Sequence, residues 1–303
     1  MKFLPIPDVD DDAALDSVVD RNPLAQCPHI DNDSDVVRDR YAAYETARAN
    51  PFHPGCPSPI SLLGDLGEAL PNRYDAHGAE LNYIEEIRDN HSPFVCPMCG
   101  APKPRTVDHV FPQNDYPDLA IFSKNLVPAC SECNRGHQHR YKGEILGERI
   151  LHPYFDRFLR HRIVQATITP ANNSYEVPVF DLEILLKHNS PLYTTVDFHV
   201  RTVVKPAGAI KAIEDTWVNL QRVPDQNRLP HVYFQMLPIG NFTNADFDNA
   251  VDTALALADF EFHTPNNWKS MLFAGLANNP AAKAYLAQTI RRLRANPAQA
   301  ADI

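Results

Sequence analysis

The chain has 303 residues, 44% of them hydrophobic and 22% charged, the balance of a soluble globular protein with material for one large domain or two smaller ones. No stretch approaches the roughly 20 apolar residues of a membrane span, and the N-terminal residues lack the apolar run of a secretory signal, so a cytoplasmic protein with reduced thiols is expected. A net charge of −10 excludes a body that coats nucleic acid by charge alone, and 27 prolines argue against a helical bundle.

In chain order, residues 1–35 form an acidic arm punctuated by proline, expected to be weakly ordered or to pack only with help. A helix is predicted over residues 35–50 and stopped by Pro51, followed by a proline-rich connector over 51–60. Another helix is predicted over 78–90, where Leu81, Ile84 and Ile87 recur at helical spacing. Residues 105–111 and 120–127 read as strands and 131–142 as a helix. A further helix, broken at Pro153, is predicted over 143–162.

Beyond it the texture becomes β-branched and aromatic. Residues 163–169, 175–180 and 193–204 read as strands, and 231–237 as a strand or the start of a helix. Helices are predicted over 209–222, 245–258, 267–277 and 280–294, with Asn244 as a cap and Pro280 in a first turn. The expected fold class is α+β, in three parts: residues 1–77 an arm with a short helix, 78–162 a motif-bearing domain with flanking helices, and 163–303 a mixed strand and helix domain ending in helices, whose role nothing in the sequence indicates.

The most informative stretch holds two thiol pairs, Cys96-Pro-Met-Cys99 and Cys130-Ser-Glu-Cys133. Each Cys-x-x-Cys fits two corners of a tetrahedral zinc site, and two of them close it. Thirty residues lie between the pairs, where a plain zinc ribbon has roughly 15–20. The extra chain carries Asp108-His109, Pro112 and Asn125, and Asn134 follows the last cysteine. The local charge differs from that of the whole: between Cys96 and Arg162 there are ten Lys and Arg against seven Asp and Glu.

These residue types suit general-base and metal-assisted chemistry. An imidazole titrates near neutrality, so His109 is the natural general base, provided that a partner holds its other nitrogen; a backbone carbonyl or the Asn125 oxygen are the alternatives. Asp108 offers a carboxylate oxygen and Asn134 an amide oxygen, hard donors that suit Mg²⁺ or Mn²⁺ better than zinc. Asp108 and His109 are neighbours, so on a regular strand they point to opposite faces, and they serve one site only if the strand bends or ends there. His137 and Gln138 are further candidates for the metal shell. Arg135, His139 and Lys142 fall on one stripe of the predicted helix and, with Arg105, are candidate phosphate contacts.

Residues 93–145 resemble an HNH endonuclease domain, the ββα-metal finger, in its cysteine-knuckle form. Asp108-His109 through Pro112 match the first motif element, Asn125 the second and Asn134 the third, which makes this an H-N-N variant; His137 stands where Lys is common. The resemblance implies a structural zinc on Cys96, Cys99, Cys130 and Cys133, a catalytic Mg²⁺ or Mn²⁺, a positioning role for Asn125, and DNA as substrate. Chains of this kind resemble effector nucleases of bacterial anti-phage systems, Septu-like ones included, some of which work with an ATPase subunit. The rival readings are a zinc-stabilised nucleic-acid-binding or assembly protein without catalysis, in which Asp108 and His109 are a surface ion pair and Asn125 a turn residue, and an RNA-cleaving nuclease. Cys27, His29, His53 and Cys56 make a second, looser set of possible metal ligands.

Overall fold

The computed structural model describes residues 1–20, 30–60, 64–76, 78–89, 94–102, 104–136, 140–221, 234, 237 and 241–295. It divides into two compact units: Met1–Phe158 with His188–Ala207, and Leu159–Lys187 with Gly208–Ile303. Among the described residues no helix is long and apolar enough to cross a membrane.

In the first unit, the acidic arm is better ordered than its composition suggests. Met1, Leu4, Leu15 and Val18 are buried, the last two on helix α1 (Asp11–Asp20). Helix α2 (Ile30–Ala47) follows, and then α3 (Gly64–Asp75), which was not expected and which contains Pro71. The helix expected over 78–90 opens as a 3₁₀ turn at Ala79–Leu81 and continues as α4 (Tyr83–Asp89). Its stripe of Leu81, Ile84 and Ile87 is buried as the spacing requires.

The finger proper is small. Strands β1 (Thr106–His109) and β2 (Leu126–Ala129) pair antiparallel with Thr106 opposite Ala129 and His109 opposite Leu126. Both are shorter than expected. Pro128 is tolerated in β2 because a two-stranded ribbon leaves each strand an outer edge. Helix α5 runs only from Ser131 to Gly136, against an expected 131–142; residues 140–142 are not helical. The helix expected over 143–162 is absent. Gly143, Gly147 (φ +93°) and Pro153 break it, and side chains meet backbone groups in its place: Asp156 accepts from the His152 amide at 2.7 Å, and Arg149, which forks onto Asp156 at 2.7 and 2.8 Å, donates to the Ile150 carbonyl at 3.0 Å.

The strand expected over 193–204 is instead helix α6 (Tyr193–His199), continued as a π turn over Val200–Val204. Val196, His199, Val200 and Val203 are all buried, and that spacing is helical; β-branched composition pointed the wrong way while the period was right.

The second unit holds a hairpin of β3 (Val164–Ala171) and β4 (Ser174–Ile184), turned by Asn172 and Asn173, both in the left-handed region at φ 49° and 60°. Helix α7 (Ala209–Gln221) and three C-terminal helices, α8 (Asn244–Phe262), α9 (Trp268–Ala277) and α10 (Pro280–Ala295), lie close to expectation. The cap of α8 is Thr243 rather than Asn244, in a reciprocal capping box with Asp246. Helix α9 packs on β3 so closely that a Cβ on Gly275 would stand 2.0 Å from the Ala166 carbonyl oxygen. Apart from Phe234 and Leu237, the segment expected as a strand or helix start at 231–237 lies outside the described residues.

Candidate active site

The four finger cysteines are buried and converge. Their sulfurs all lie within 4.8 Å of one another, with Cys96 to Cys133 at 3.9 Å and Cys99 to Cys130 at 3.6 Å. Four sulfurs about 2.3 Å from one tetrahedral ion stand about 3.8 Å apart, so the cluster has the dimensions of a zinc site. The knuckle explains the local sequence. The Cys96 amide donates to the Ala101 carbonyl and the Gly100 amide to the Cys96 carbonyl, a tight reversal that needs φ +85° at Gly100. Backbone amides also point at sulfur, Ala101 at Cys99 and Cys130 at Cys96, both at 3.4 Å, which stabilises thiolate charge.

Beside this cluster a pocket of about 200 Å³ is lined by Asp108, His109 and Asn134, together with Tyr74, Gln113 and Asn114. The strand question is resolved by chain geometry: β1 ends at His109, so Asp108 and His109 share the pocket despite being neighbours. The next amide, Val110, donates to the Asn125 carbonyl at 2.9 Å, and Pro112 lies just beyond.

His109 Nε2 lies 2.8 Å from the Ala120 carbonyl oxygen. A carbonyl only accepts, so Nε2 carries the proton and Nδ1 is left as the acceptor. Burial pushes His109 down to about 4, against smaller opposing effects of the Ala120 bond and the Asp75 charge, so the ring is neutral at neutral pH. Tyr74 packs edge-on to the imidazole at 4.5 Å. Burial, with the Asp108 charge second, raises its phenol to about 12. Asn134 donates from Nδ2 to the Val107 carbonyl at 2.9 Å, which leaves its Oδ1 as the acceptor. Asp108 is 5% exposed. A carboxylate and an amide oxygen on one pocket are donors of the kind that Mg²⁺ or Mn²⁺ takes.

Asn125 is not at the pocket. It is fully buried, and both ends of its amide are used: Oδ1 accepts from the Phe111 amide at 2.8 Å and the Tyr44 hydroxyl at 3.1 Å, while Nδ2 donates to the Phe111 and Leu119 carbonyls at 3.1 and 3.2 Å. It clamps the 111–119 loop to β2, and the partner of the His109 ring is the backbone of Ala120 rather than Asn125.

The candidate phosphate contacts do not share one helical stripe. Arg105 is exposed just ahead of β1, and Arg135 is exposed on α5 with its Nε donating to the Ser131 carbonyl. Lys142 is exposed, its ammonium over the Tyr141 ring at 5.6 Å, but it follows the helix rather than lying on it, so the expected single stripe is corrected. His137, Gln138 and His139 lie outside the described residues, as do Cys27 and His29. His53 accepts from the Gly55 amide through Nδ1, and burial pushes the Cys56 thiol up to about 11. Tyr74 and the Ala120 carbonyl were not legible in the sequence: one lies on an unexpected helix, and the other is backbone, which carries no residue signature.

With this geometry in hand, the comparisons are specific to the finger. Residues 96–140 match the family model described as HNH endonuclease. Protein ea31 of Escherichia phage lambda is 34% identical over 92 residues, 27% of this chain and 30% of that protein, so the chain spans under a third of that relative. No solved structure matches the chain. Residues 96–140 are therefore an HNH endonuclease domain, closed by a four-cysteine cluster of zinc-binding dimensions.

Proposed function

We propose that the chain is a metal-dependent endonuclease that hydrolyses DNA phosphodiester bonds at the pocket of Asp108, His109 and Asn134. The observation that carries this reading is the bond from His109 Nε2 to the Ala120 carbonyl, which leaves Nδ1 as a proton acceptor in a pocket with two oxygen donors. Zinc on Cys96, Cys99, Cys130 and Cys133 ties the two ends of the insert together.

In the reaction His109 Nδ1 takes the proton of the attacking water, while the Ala120 carbonyl holds the other nitrogen. Asp108 Oδ and Asn134 Oδ1 would hold a Mg²⁺ or Mn²⁺ ion, which when bound offsets the charge of the scissile phosphate and the departing 3′ oxygen. Asn125 keeps the loop in register. Arg105, Arg135 and Lys142 supply backbone phosphate contacts on a locally basic finger.

Purified protein with plasmid DNA and Mg²⁺ or Mn²⁺, beside His109→Ala and beside an RNA of matched length, tests the reading. Loss of DNA cutting in the variant supports it. Equal cutting by both forms removes His109 from its role, preference for RNA replaces the substrate, and DNA binding without cleavage under any divalent ion favours a binding module. A defence effector acting beside an ATPase subunit is the finer form of this reading. Its support is the basic finger set in an acidic chain, a charge balance that restrains free binding to DNA. Co-purification of an ATPase from the native source tests it.

A further inference from the structure

Helix α2 lies outside the residues that match the family model, yet one of its faces holds the loop behind His109. Arg40, Tyr41, Tyr44 and Glu45 recur at spacings of one, three and four, so they share a side of the helix. Arg40 forks onto Asp118 at 2.6 and 3.2 Å, the Tyr41 ring stacks on Phe122 at 4.1 Å, and Glu45 pairs with Lys124. Tyr44 sits in the middle of this face, fully buried, against Asn125.

The direction of every bond around Tyr44 is forced. The Tyr154 amide points at His152 Nδ1 from 3.2 Å, so Nδ1 is unprotonated. The Lys124 carbonyl lies 3.1 Å from His152 Nε2 and can only accept, so Nε2 carries the proton. The Tyr44 oxygen, 3.1 Å from the same Nε2, is therefore an acceptor there, and its own proton goes to Asn125 Oδ1. Asn125 in turn donates to the Leu119 carbonyl, one residue before the Ala120 carbonyl that holds His109.

We infer that Tyr44 is a positioning residue for the nuclease site: its hydroxyl orients Asn125, Asn125 holds the 119–120 turn, and the turn keeps His109 in the Nε2–H tautomer. This role rests on the reading of His109 as the general base. It makes helix α2 part of the catalytic apparatus although none of its described residues lines the pocket.

The test uses the full zinc-loaded chain with ¹⁵N-labelled histidine, as wild type, Tyr44→Phe and Tyr154→Phe. Tyr154 is the control, since its hydroxyl makes a buried bond of the same kind, to the Leu126 carbonyl at 2.8 Å, without touching Asn125. In the wild type and Tyr154→Phe, the two His109 ring nitrogens should give the separated signals of a single neutral tautomer. In Tyr44→Phe they should move toward averaged values, and kcat on DNA should fall about tenfold with KM unchanged, the loss typical of removing a group that orients a functional side chain. Asn125→Asp, which replaces the amide donors with acceptors, should average the signals too and serves if Tyr44→Phe does not fold. A His109 that stays wholly Nε2–H in Tyr44→Phe, or that averages equally in Tyr154→Phe, overturns the role. The nitrogen signals need no cleavage, so a wild-type chain that cuts nothing refutes the nuclease reading separately.

Discussion

His109 and Ala120 meet through an imidazole nitrogen and a carbonyl oxygen at 2.8 Å, and this one contact decides which nitrogen of the ring is left to accept a proton. With the proton held on Nε2, the basic lone pair is on Nδ1. His109→Ala should therefore lower the rate of DNA cleavage by about 10²–10⁴-fold, the usual contribution of a positioned general base, with zinc content unchanged. Single-turnover nicking of supercoiled plasmid, with metal analysis of both proteins, checks it.

Asn125 should matter for stability as well as turnover. Asn125→Ala leaves the buried Phe111 amide and carbonyl without this partner and removes one bond each from the Leu119 carbonyl and the Tyr44 hydroxyl, which keep the Phe122 amide and His152. A loss of about 3 kcal/mol is expected, read as a lower urea midpoint at constant slope.

The cysteine cluster should bind one zinc per chain and carry much of the finger's folding energy. Elemental analysis should give one equivalent, and Cys133→Ser or a strong chelator should abolish the cooperative melting of the first unit. Two equivalents would point to the second set of Cys27, His29, His53 and Cys56.

Stability should fall on mild acidification, and His152 is one reason. Burial pushes its folded value down to about 3, well below the ordinary imidazole. Above about pH 6.5 folded and unfolded chains are both neutral there, and the group contributes no pH dependence. Below it the unfolded chain takes up a proton that the folded chain refuses, so stability is lost at up to about 1.4 kcal/mol per pH unit until the folded value is reached. Asp11 opposes this. Burial raises it to about 6 despite its bonds from Ser123, so in the acid range the folded chain holds a proton that the unfolded chain releases. Urea midpoints between pH 7.5 and 5 should decline less steeply in His152→Gln and more steeply in Asp11→Asn.

Arg105, Arg135 and Lys142 should act on affinity rather than chemistry. Each Ala substitution should weaken DNA binding about equally across sequences and reduce the slope of log K against log salt by about one. Binding titrations at several salt concentrations with a catalytically dead background measure it.

The parts of this protein that were legible beforehand are those written in spacing. Leu81, Ile84 and Ile87 announced a buried helical stripe, and the C-terminal helices announced themselves by period and caps. Where composition was read in place of period, at residues 193–204, the element type came out wrong. No element was expected over residues 64–75, where α3 contains Pro71, and Tyr74 went unnoticed with it. The helix expected over 143–162 failed because Arg149 and Asp156 satisfy a backbone that glycine and proline keep from coiling.

The amino-acid order alone determined the thiol pairs, the length of chain between them, and the succession of Asp108, His109, Asn125 and Asn134, since tight knuckles and strand ends are local and their geometry follows from short-range spacing. Tertiary structure alone decided which acceptor holds the His109 ring and what stands behind it. Every residue has a carbonyl, so nothing marks Ala120 in a sequence, and Tyr44 reaches Asn125 across 81 positions through packing that no local pattern encodes.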